Sequence, residues 1–568
     1  MKKGTYSQGT YSKGTYSRGA YYKETHSLRA HLMTFIVLAL LFAACGGGPL
    51  SQEDSGANVN ATGERQEAAE VVAQQGQPVE VTRTTTEMVA SESEAVEMDS
   101  PEGMSGGALE PPNDAPYDTV YYEDYGVNPF IDPEEDNLST FAIDVDTGSY
   151  SVMRRYLRDG YLPPDDAVRV EEFVNYFDQA YERPEEGAFG IHLEGAPSPY
   201  GANERYRLVR VGLQGYEVPA ESRPDAMLIF VIDVSGSMNR ENRLELVKDA
   251  LETLVDNLRP TDRIGIVVYG SNARALLPPT PVDSRRAILA AIHALQPEGS
   301  TNAEAGLRVA YQLAEEYAQP GAINRLILCS DGVANVGNTA AESILQHAED
   351  GIALSTFGFG MGNYNDVLME QLANQGDGSY AYIDTLKEAE RTFSTQLTST
   401  LLTIAQDAKI QVEFNPAVID RYRLLGYENR DVADEDFRND DVDAGEIGAG
   451  HSVTALYEVR EAEDAPRNQP AMTVRVRYAD PDTEEVSEIE RAISLSEFHQ
   501  RYEEASPRFQ LAAVVAEYAE ILRGSFWAQE NDLQALAPDA QRIAEYLVDD
   551  ADVQEFAGLV VTAAGLEE

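Results

Sequence analysis

The chain has 568 residues, with 43 Lys and Arg against 97 Asp and Glu, which gives a formal net charge of −54 at pH 7. This negative charge argues against non-specific binding to nucleic acid or to an anionic lipid surface, because like charges repel. Hydrophobic residues make up 43% of the chain, enough for folded cores. The two cysteines, Cys45 and Cys329, are too few for a disulfide framework.

The first 45 residues are predicted to be an export signal. A five-residue repeat begins at Gly4, and an uncharged apolar run follows at 33–44. That run is shorter than the roughly 20 residues needed to span a bilayer, but it is typical of a signal-peptide core. The segment 41–46 resembles the lipobox of bacterial lipoproteins, which implies cleavage before Cys45 and a lipid on its thiol. An ordinary secretory signal with an incidental cysteine is the alternative.

Residues 46–130 are predicted to form a disordered acidic tether. Within 51–130 there are 17 acidic residues, and Arg65 and Arg83 are the only Lys or Arg residues. The stretch is rich in Gly, Ser, Thr, Gln and Pro and has no sustained hydrophobic period. Such a composition favours a solvated, self-repelling linker.

Residues 131–224 are predicted to be an N-terminal flanking domain with short strands at 189–193 and 206–213. Residues 406–568 are predicted to be a C-terminal β-then-α domain, with strands near 409–414, 452–459 and 472–478 and helices at 509–522 and 539–547. Because domain termini often lie close together, we expect the two flanks to pair into one β-rich unit that holds the central domain as an insertion.

Residues 225–405 alternate between strand and helix patterns. Continuous apolar runs predict buried strands, and apolar residues at helical spacing predict helices between them. The predicted strands are 227–232, 264–269, 325–330, 352–359 and 378–383, and the predicted helices are 244–258, 286–295, 304–317, 343–348 and 366–374. This order predicts an α/β domain with a doubly wound, mostly parallel sheet.

Oxygen-bearing side chains follow the carboxyl ends of these strands, where such folds place their sites. Asp233, Ser235 and Ser237 form a D-x-S-x-S sequence after the first strand, Thr301 lies in the loop before the third helix, and Asp331 follows the strand at 325–330. Carboxylates and hydroxyls without sulfur or imidazole are typical ligands of Mg²⁺. Asp233 or Ser235 acting only as a helix N-cap is the alternative.

These three segments resemble the metal-ion-dependent adhesion site of von Willebrand factor type A (VWA) domains. The resemblance implies that Ser235, Ser237 and Thr301 contact the ion and that Asp233 and Asp331 bind it directly or through water. It also implies an open coordination position for an acidic group of a partner. The flanks are similar to those of YfbK-type bacterial VWA proteins at 137–150, 168–176, 427–430 and 442–458.

Three other patterns carry weaker interpretations. The triplet Asp146-Thr147-Gly148 does not indicate an aspartic protease, because that chemistry needs two carboxylates that share a proton. Asp144 and Asp146 could hold calcium, but a turn that closes a strand is the preferred interpretation. The segment 439–443 is interpreted as a solvated acidic loop, since Ala444 takes the place of the glycine that a calcium loop requires.

Nothing in the sequence indicates catalysis. No nucleophile elbow follows a predicted strand, and the chain has no P-loop, zinc-protease motif or dinucleotide-binding turn. His293, His347 and His451 are interpreted as structural or surface residues.

We therefore expect an exported protein, lipid-anchored at Cys45 to a bacterial membrane on its periplasmic or outer surface. Its function would be to bind a protein partner whose Asp or Glu completes the shell of a divalent cation, Mg²⁺ in the first place, with Ca²⁺ or Mn²⁺ as alternatives. The rival hypothesis is an envelope assembly or scaffolding factor with a structural metal, capped by a carboxylate of the chain itself, for example from 431–443.

Overall fold

The structure is a computed structural model that describes residues 122–332, 341–345, 351–360, 365–440 and 442–567. The predicted signal with Cys45, and the tether up to residue 121, lie outside the described residues. Within the described chain, no helix combines the length and the apolar character needed to cross a bilayer.

The N-terminal flank contributes three strands and two helices. They are β1 (Leu138–Ala142), α1 (Gly148–Arg158), α2 (Val170–Asn175), β2 (Phe189–Pro197) and β3 (Tyr206–Gly215).

The central segment alternates strands with helices, as predicted. Its elements are β4 (Ala226–Asp233), α3 (Arg243–Asn257), β5 (Arg263–Tyr269), β6 (Ala273–Pro281), α4 (Arg285–His293), α5 (Ala303–Tyr317), β7 (Ile323–Ser330), α6 (Ala341–Ile344), β8 (Ala353–Gly358), α7 (Asp366–Asn374), β9 (Tyr380–Tyr382), α8 (Leu386–Glu390) and α9 (Leu397–Leu401).

The central sheet has the strand order β6-β5-β4-β7-β8-β9 and is parallel except for β6. The side chains of β4 alternate between its two faces. Phe230 and Ile232 pack with α3 and α4 on one face, and Ile229 and Val231 pack with α5 and α7 on the other. This burial on both faces explains why the sequence of β4 is a continuous apolar run. The parallel strands with helices on both faces confirm the predicted α/β fold.

Strand β6 was not expected from the sequence. It contains Pro278, Pro279 and Pro281, which are typical of a loop. It is nevertheless a strand because it lies at the edge of the sheet and pairs antiparallel with β5 only. An edge strand tolerates residues that have no N–H to donate on its open side.

The C-terminal flank supplies six strands and then three helices. They are β10 (Thr403–Phe414), β11 (Ile419–Leu425), β12 (Gly445–Gly448), β13 (Ser452–Glu461), β14 (Pro470–Ala479), β15 (Val486–Ser494), α10 (Pro507–Leu522), α11 (Leu533–Tyr546) and α12 (Ala551–Leu566).

Strands from both flanks share two antiparallel sheets. One has the order β1-β10-β14-β15, with β12 also on β10, and the other has the order β11-β13-β3-β2. Phe141 of β1 lies opposite Ile410 of β10, and Val209 of β3 lies opposite Tyr457 of β13. The central domain is thus inserted between strands that pair with each other, as expected from the sequence.

A helical layer also joins the two flanks. The helices α1 and α2 pack with α10, α11 and α12 around one apolar core. Within it, the rings of Tyr150 and Tyr176 stack at 4.0 Å, and Tyr518 of α10 lies against Phe173 and Phe556.

A buried ion cluster connects the central domain to both flanks. Arg430 Nη2 lies 2.9 Å from Glu370 Oε1 of α7 and 3.3 Å from Asp146 Oδ2, and its Nε lies 3.2 Å from Asp144 Oδ2. Asp144 Oδ1 also accepts the N–H of Asp146 at 2.8 Å, which is the predicted turn after β1. The three carboxylates lie close enough together to hold a cation, but the Arg430 guanidinium is the cation that they share here.

Glu172 and Arg169 extend this cluster. Arg169 donates to Asp366 Oδ2 at 2.7 Å and pairs with Glu172, whose other oxygen accepts the N–H of Ser149 at 2.7 Å. Burial raises the pKa of Glu172 to about 8, against the attraction of Arg169 and with further increases from Asp144, Glu370 and Asp366. The cluster contains more carboxylates than guanidinium groups, so protonation of Glu172 reduces the repulsion among the carboxylates.

Replacing Glu172 with Gln should flatten the pH dependence of stability. The folded state keeps the Glu172 proton up to a pKa of about 8, whereas the ordinary value is 4.5. The stability from this group is therefore fully present below pH 4.5 and is lost as the pH rises through 8. One such carboxyl changes the unfolding free energy by about 1.4 kcal/mol per pH unit. Thermal unfolding between pH 5 and 8 measures the slope. Equal slopes for Glu172→Gln and a control variant at the exposed Glu186 would contradict the assignment.

Candidate metal centre

Two neighbouring strands of the central sheet end in buried aspartates. Asp233 is the last residue of β4, and Asp331 follows β7, whose Cys329 lies opposite Ile232 of β4. Both aspartates have 0% exposure. Because parallel neighbours end at the same edge of the sheet, the two carboxylates lie near each other, as the sequence predicted.

The turn after β4 brings the two serines beside Asp233. Asp233 Oδ1 accepts the N–H of Ser235 at 2.7 Å, and the hydroxyls of Ser235 and Ser237 lie 2.9 Å apart. The φ of Gly236 is not positive. The N–H of Gly236 donates to Gly299 O at 3.2 Å, and this hydrogen bond connects the turn to the loop that carries Thr301.

The loop at 299–302 is held by hydrogen bonds to neighbouring residues. Gly299 has a φ of +77°, and Ser271 Oγ accepts the N–H of Ser300 at 3.0 Å. Thr301 is buried with 1% exposure. Asn302 Oδ1 accepts the N–H of Ala305 at 2.9 Å and so caps α5. The helix cap at this loop is therefore Asn302, and capping does not account for the buried Thr301.

Burial favours the protonated forms of both aspartates. The pKa of Asp233 is raised to about 7, first by burial and then by the charge of Asp331. Burial also raises the pKa of Asp331, which Ser237 and Arg243 partly counteract. A positive ion between the two carboxylates would favour their charged forms.

Two residues at this centre were not assigned from the sequence. Ser330 Oγ donates to Asp233 Oδ2 at 3.0 Å and accepts the N–H of Gly332 at 3.1 Å. Arg243 Nη1 donates to Asp331 Oδ2 at 2.9 Å, and its side chain is 3% exposed. A charged residue that begins an amphipathic helix normally faces water, so periodicity alone gave no reason to place Arg243 here.

The donor set suits a hard divalent cation. It consists of carboxylate and hydroxyl oxygens, the ligands that Mg²⁺ and Ca²⁺ prefer. Asp331 Oδ1 is buried and has no hydrogen-bond partner among the described residues. A buried carboxylate oxygen without a partner is costly unless a cation or water completes its contacts. Asp233, Ser235, Ser237, Thr301 and Asp331 are thus the residues that would hold such an ion.

The described part of the acidic segment at 431–443 lies along the sheet that contains β1 and β14. Asp434 accepts the hydroxyl of Thr140 at 2.6 Å, and Asp440 pairs with Arg477 of β14 at 2.8 Å. These contacts do not bring its carboxylates to the metal centre, so they give no support to a cap on the ion from this segment. Asp441 lies outside the described residues.

The histidines occupy the kinds of position that were expected. His293 Nε2 lies beside Glu252 on an exposed helix surface. His451 lies in the turn before β13, where burial lowers its pKa to about 4. His347 lies outside the described residues.

Three known family models match parts of this chain. The family model "von Willebrand factor type A domain" matches residues 228–333, "von Willebrand factor" matches 116–210, and "Uncharacterized protein YfbK, C-terminal" matches 399–566. The matches cover the central domain up to Asp331 and both flanks.

Among the relatives is uncharacterized protein YfbK of Escherichia coli K12, which is 38% identical over 453 residues, 75% of this chain and 78% of that protein. A solved von Willebrand factor type A protein from Catenulispora acidiphila is 16% identical with a TM-score of 0.40, covering 66% of this chain and 90% of the other. Proximal thread matrix protein 1 from the mussel byssus, solved with a zinc-occupied MIDAS motif, is 19% identical with a TM-score of 0.27, covering 33% and 48%.

Alanine at Gly299 should cost more stability than alanine at Gly321. Both glycines have positive φ, +77° and +74°, which costs an L-residue about 1–2 kcal/mol. A Cβ at Gly299 would also collide with Ser271, whereas nothing lies within 4 Å of a Cβ at Gly321. Urea denaturation of both variants measures the difference. Equal losses would show that the contact between Gly299 and Ser271 does not hold the loop.

Proposed function

Because the chain belongs to the YfbK family of von Willebrand factor type A proteins, we propose that it is a membrane-tethered binding protein of the bacterial cell envelope rather than an enzyme. VWA domains are commonly modules for adhesion or protein interaction. In this proposal the central domain captures a protein partner through a divalent cation, with Mg²⁺ as the expected ion.

One observation carries the proposal. Two fully buried aspartates from adjacent strands lie with the serine hydroxyls at one edge of the sheet, and Asp331 Oδ1 is left without a partner among the described residues. A cation there would satisfy this oxygen and offset the repulsion between Asp233 and Asp331. An Asp or Glu of the partner would then bind the same ion from outside.

Ser237 and Gly236 give the ion a way to reach solvent. Ser237 is half-buried and Gly236 is exposed, whereas Asp233, Ser235 and Thr301 are buried. The ion would therefore be held from below by the buried residues and would face the exposed turn, where an external carboxylate can approach it.

Replacing Asp233 with Asn should abolish binding of Mg²⁺ and capture of the partner. The change removes one of the two charges that attract the ion but keeps the shape of the side chain. Titration calorimetry with Mg²⁺ or Mn²⁺, and pull-downs from an envelope extract with Mg²⁺ or with EDTA, measure the two effects. We expect at least a hundredfold loss of metal affinity and no metal-dependent capture.

The matched control is Asp366→Asn, which alters an equally buried carboxylate of the same domain outside the centre. This variant should keep its metal affinity. If Asp233→Asn still bound Mg²⁺ as the parent does, the assignment of the centre would be wrong. A large rise in unfolding temperature with Mg²⁺ and no metal-dependent capture would instead favour a structural metal.

Replacing Cys45 with Ser should release the protein from the membrane. Cys45 follows the short apolar run at 33–44, and the proposal places the lipid on its thiol. Fractionation of cells and labelling with a fatty-acid analogue measure attachment. The control is Cys329→Ser, because Cys329 is a buried thiol in β7 and should not affect fractionation. Equal labelling of the Cys45→Ser variant and the parent would contradict the lipid anchor.

A further inference from the structure

Arg243 places a fixed positive charge inside the metal centre. Its guanidinium lies 2.9 Å from Asp331 Oδ2 and is 3% exposed. The carboxylate that would bind the ion through Oδ1 is therefore already paired with a cation through its other oxygen.

The side chain of Arg243 packs against Gly360. Arg243 is the first residue of α3, and Gly360, with a φ of +90°, follows β8. A Cβ at Gly360 would collide with the Arg243 side chain. The absence of a side chain at Gly360 leaves the space that the arginine side chain occupies.

The charges of the centre can be counted from its described residues. Asp233 and Asp331 contribute two negative charges, Arg243 contributes one positive charge, and the hydroxyl residues contribute none. Among the described residues, no ion pair includes Asp233, whose contacts are the N–H of Ser235 and the hydroxyl of Ser330. The net charge is therefore −1, and a divalent cation would raise it to +1.

A buried site with an uncompensated positive charge is unfavourable, and a carboxylate brought to the ion from outside would restore neutrality. We propose that Arg243 keeps the affinity for the metal alone low, so that the cation is held firmly only together with an acidic group of the partner. This inference rests on the proposed function and adds to it the residue that makes metal and partner binding depend on each other. Linkage then requires that each raises the affinity of the other by the same factor.

Replacing Arg243 with Gln tests this role. The variant removes the positive charge and leaves the centre at −2, which a divalent cation neutralises without help. Titration calorimetry on the full chain, with Mn²⁺ and Mg²⁺ as probes, should show at least tenfold tighter metal binding than the parent has. Acetate at high concentration serves as the external carboxylate. It should strengthen metal binding in the parent and have a smaller effect in Arg243→Gln.

Two further variants separate charge from packing. Arg243→Lys keeps the charge and should bind metal within about threefold of the parent. Arg223→Gln removes a guanidinium from the equally buried pair with Asp262, which precedes β5 at the opposite ends of the strands, and should leave the metal affinity unchanged. The rise in unfolding temperature with Mn²⁺ provides a second readout for each variant, even where the metal-free protein is less stable.

The outcomes distinguish the inference from the proposed function. If the parent binds metal, Asp233→Asn does not, and Arg243→Gln binds no more tightly than the parent, the role of Arg243 is overturned while the metal centre stands. An equal effect of acetate on the parent and on Arg243→Gln also overturns it. If neither the parent nor Arg243→Gln binds Mn²⁺ or Mg²⁺, the proposed function fails and the inference fails with it.

Discussion

The pairing of β3 with β13 and of β1 with β10 is the constraint on which the rest of the structure depends. These ladders bring together segments that are more than 200 residues apart in the chain and so place the two ends of the central domain side by side. At this junction Arg325, near the start of β7, donates to Thr403 at the start of β10 at 3.3 Å. Asp331 follows the other end of β7. Strand β7 thus contacts β10 at its amino end and supports the candidate metal centre at its carboxyl end, beside the exposed turn at Gly236.

Buried arginines allow this acidic chain to fold with many carboxylates inside. Arg154 binds Asp384 and Glu388, Arg430 binds three carboxylates, and Arg223 binds Asp262 through two nitrogens. The planar guanidinium suits such sites, because it donates several hydrogen bonds in fixed directions and stays charged. Asp233 differs from these carboxylates, because its described partners are the neutral donors of Ser235 and Ser330.

The sequence predicted the features that depend on strand periodicity and on the order of elements. The apolar run of β4 and the position of Asp233 and Asp331 after their strands were enough to predict the parallel sheet and the joint location of the two carboxylates. Strand β6 was missed because its prolines are typical of loops and only its edge position permits them. The weakly apolar β15 was missed because its outer residues face water. Arg243 was missed because its burial depends on Gly360, more than a hundred residues later, and no local pattern contains that contact.

The net charge of the whole chain affects how an acidic group can approach the candidate metal centre. A protein with a net charge of −54 repels acidic groups, so a positive charge at the point of contact favours their approach. A centre with three or four carboxylates would hold a divalent cation firmly by itself, but it would leave that cation neutralised and unattractive to another carboxylate. Serine and threonine hydroxyls would bind an ion without neutralising it. The pairing of Arg243 with Asp331 withdraws one of the two remaining charges. The side chains of the centre therefore leave a bound divalent cation with a positive charge that an external anion would neutralise. This requirement would make the ion a bridge to a partner rather than a structural support.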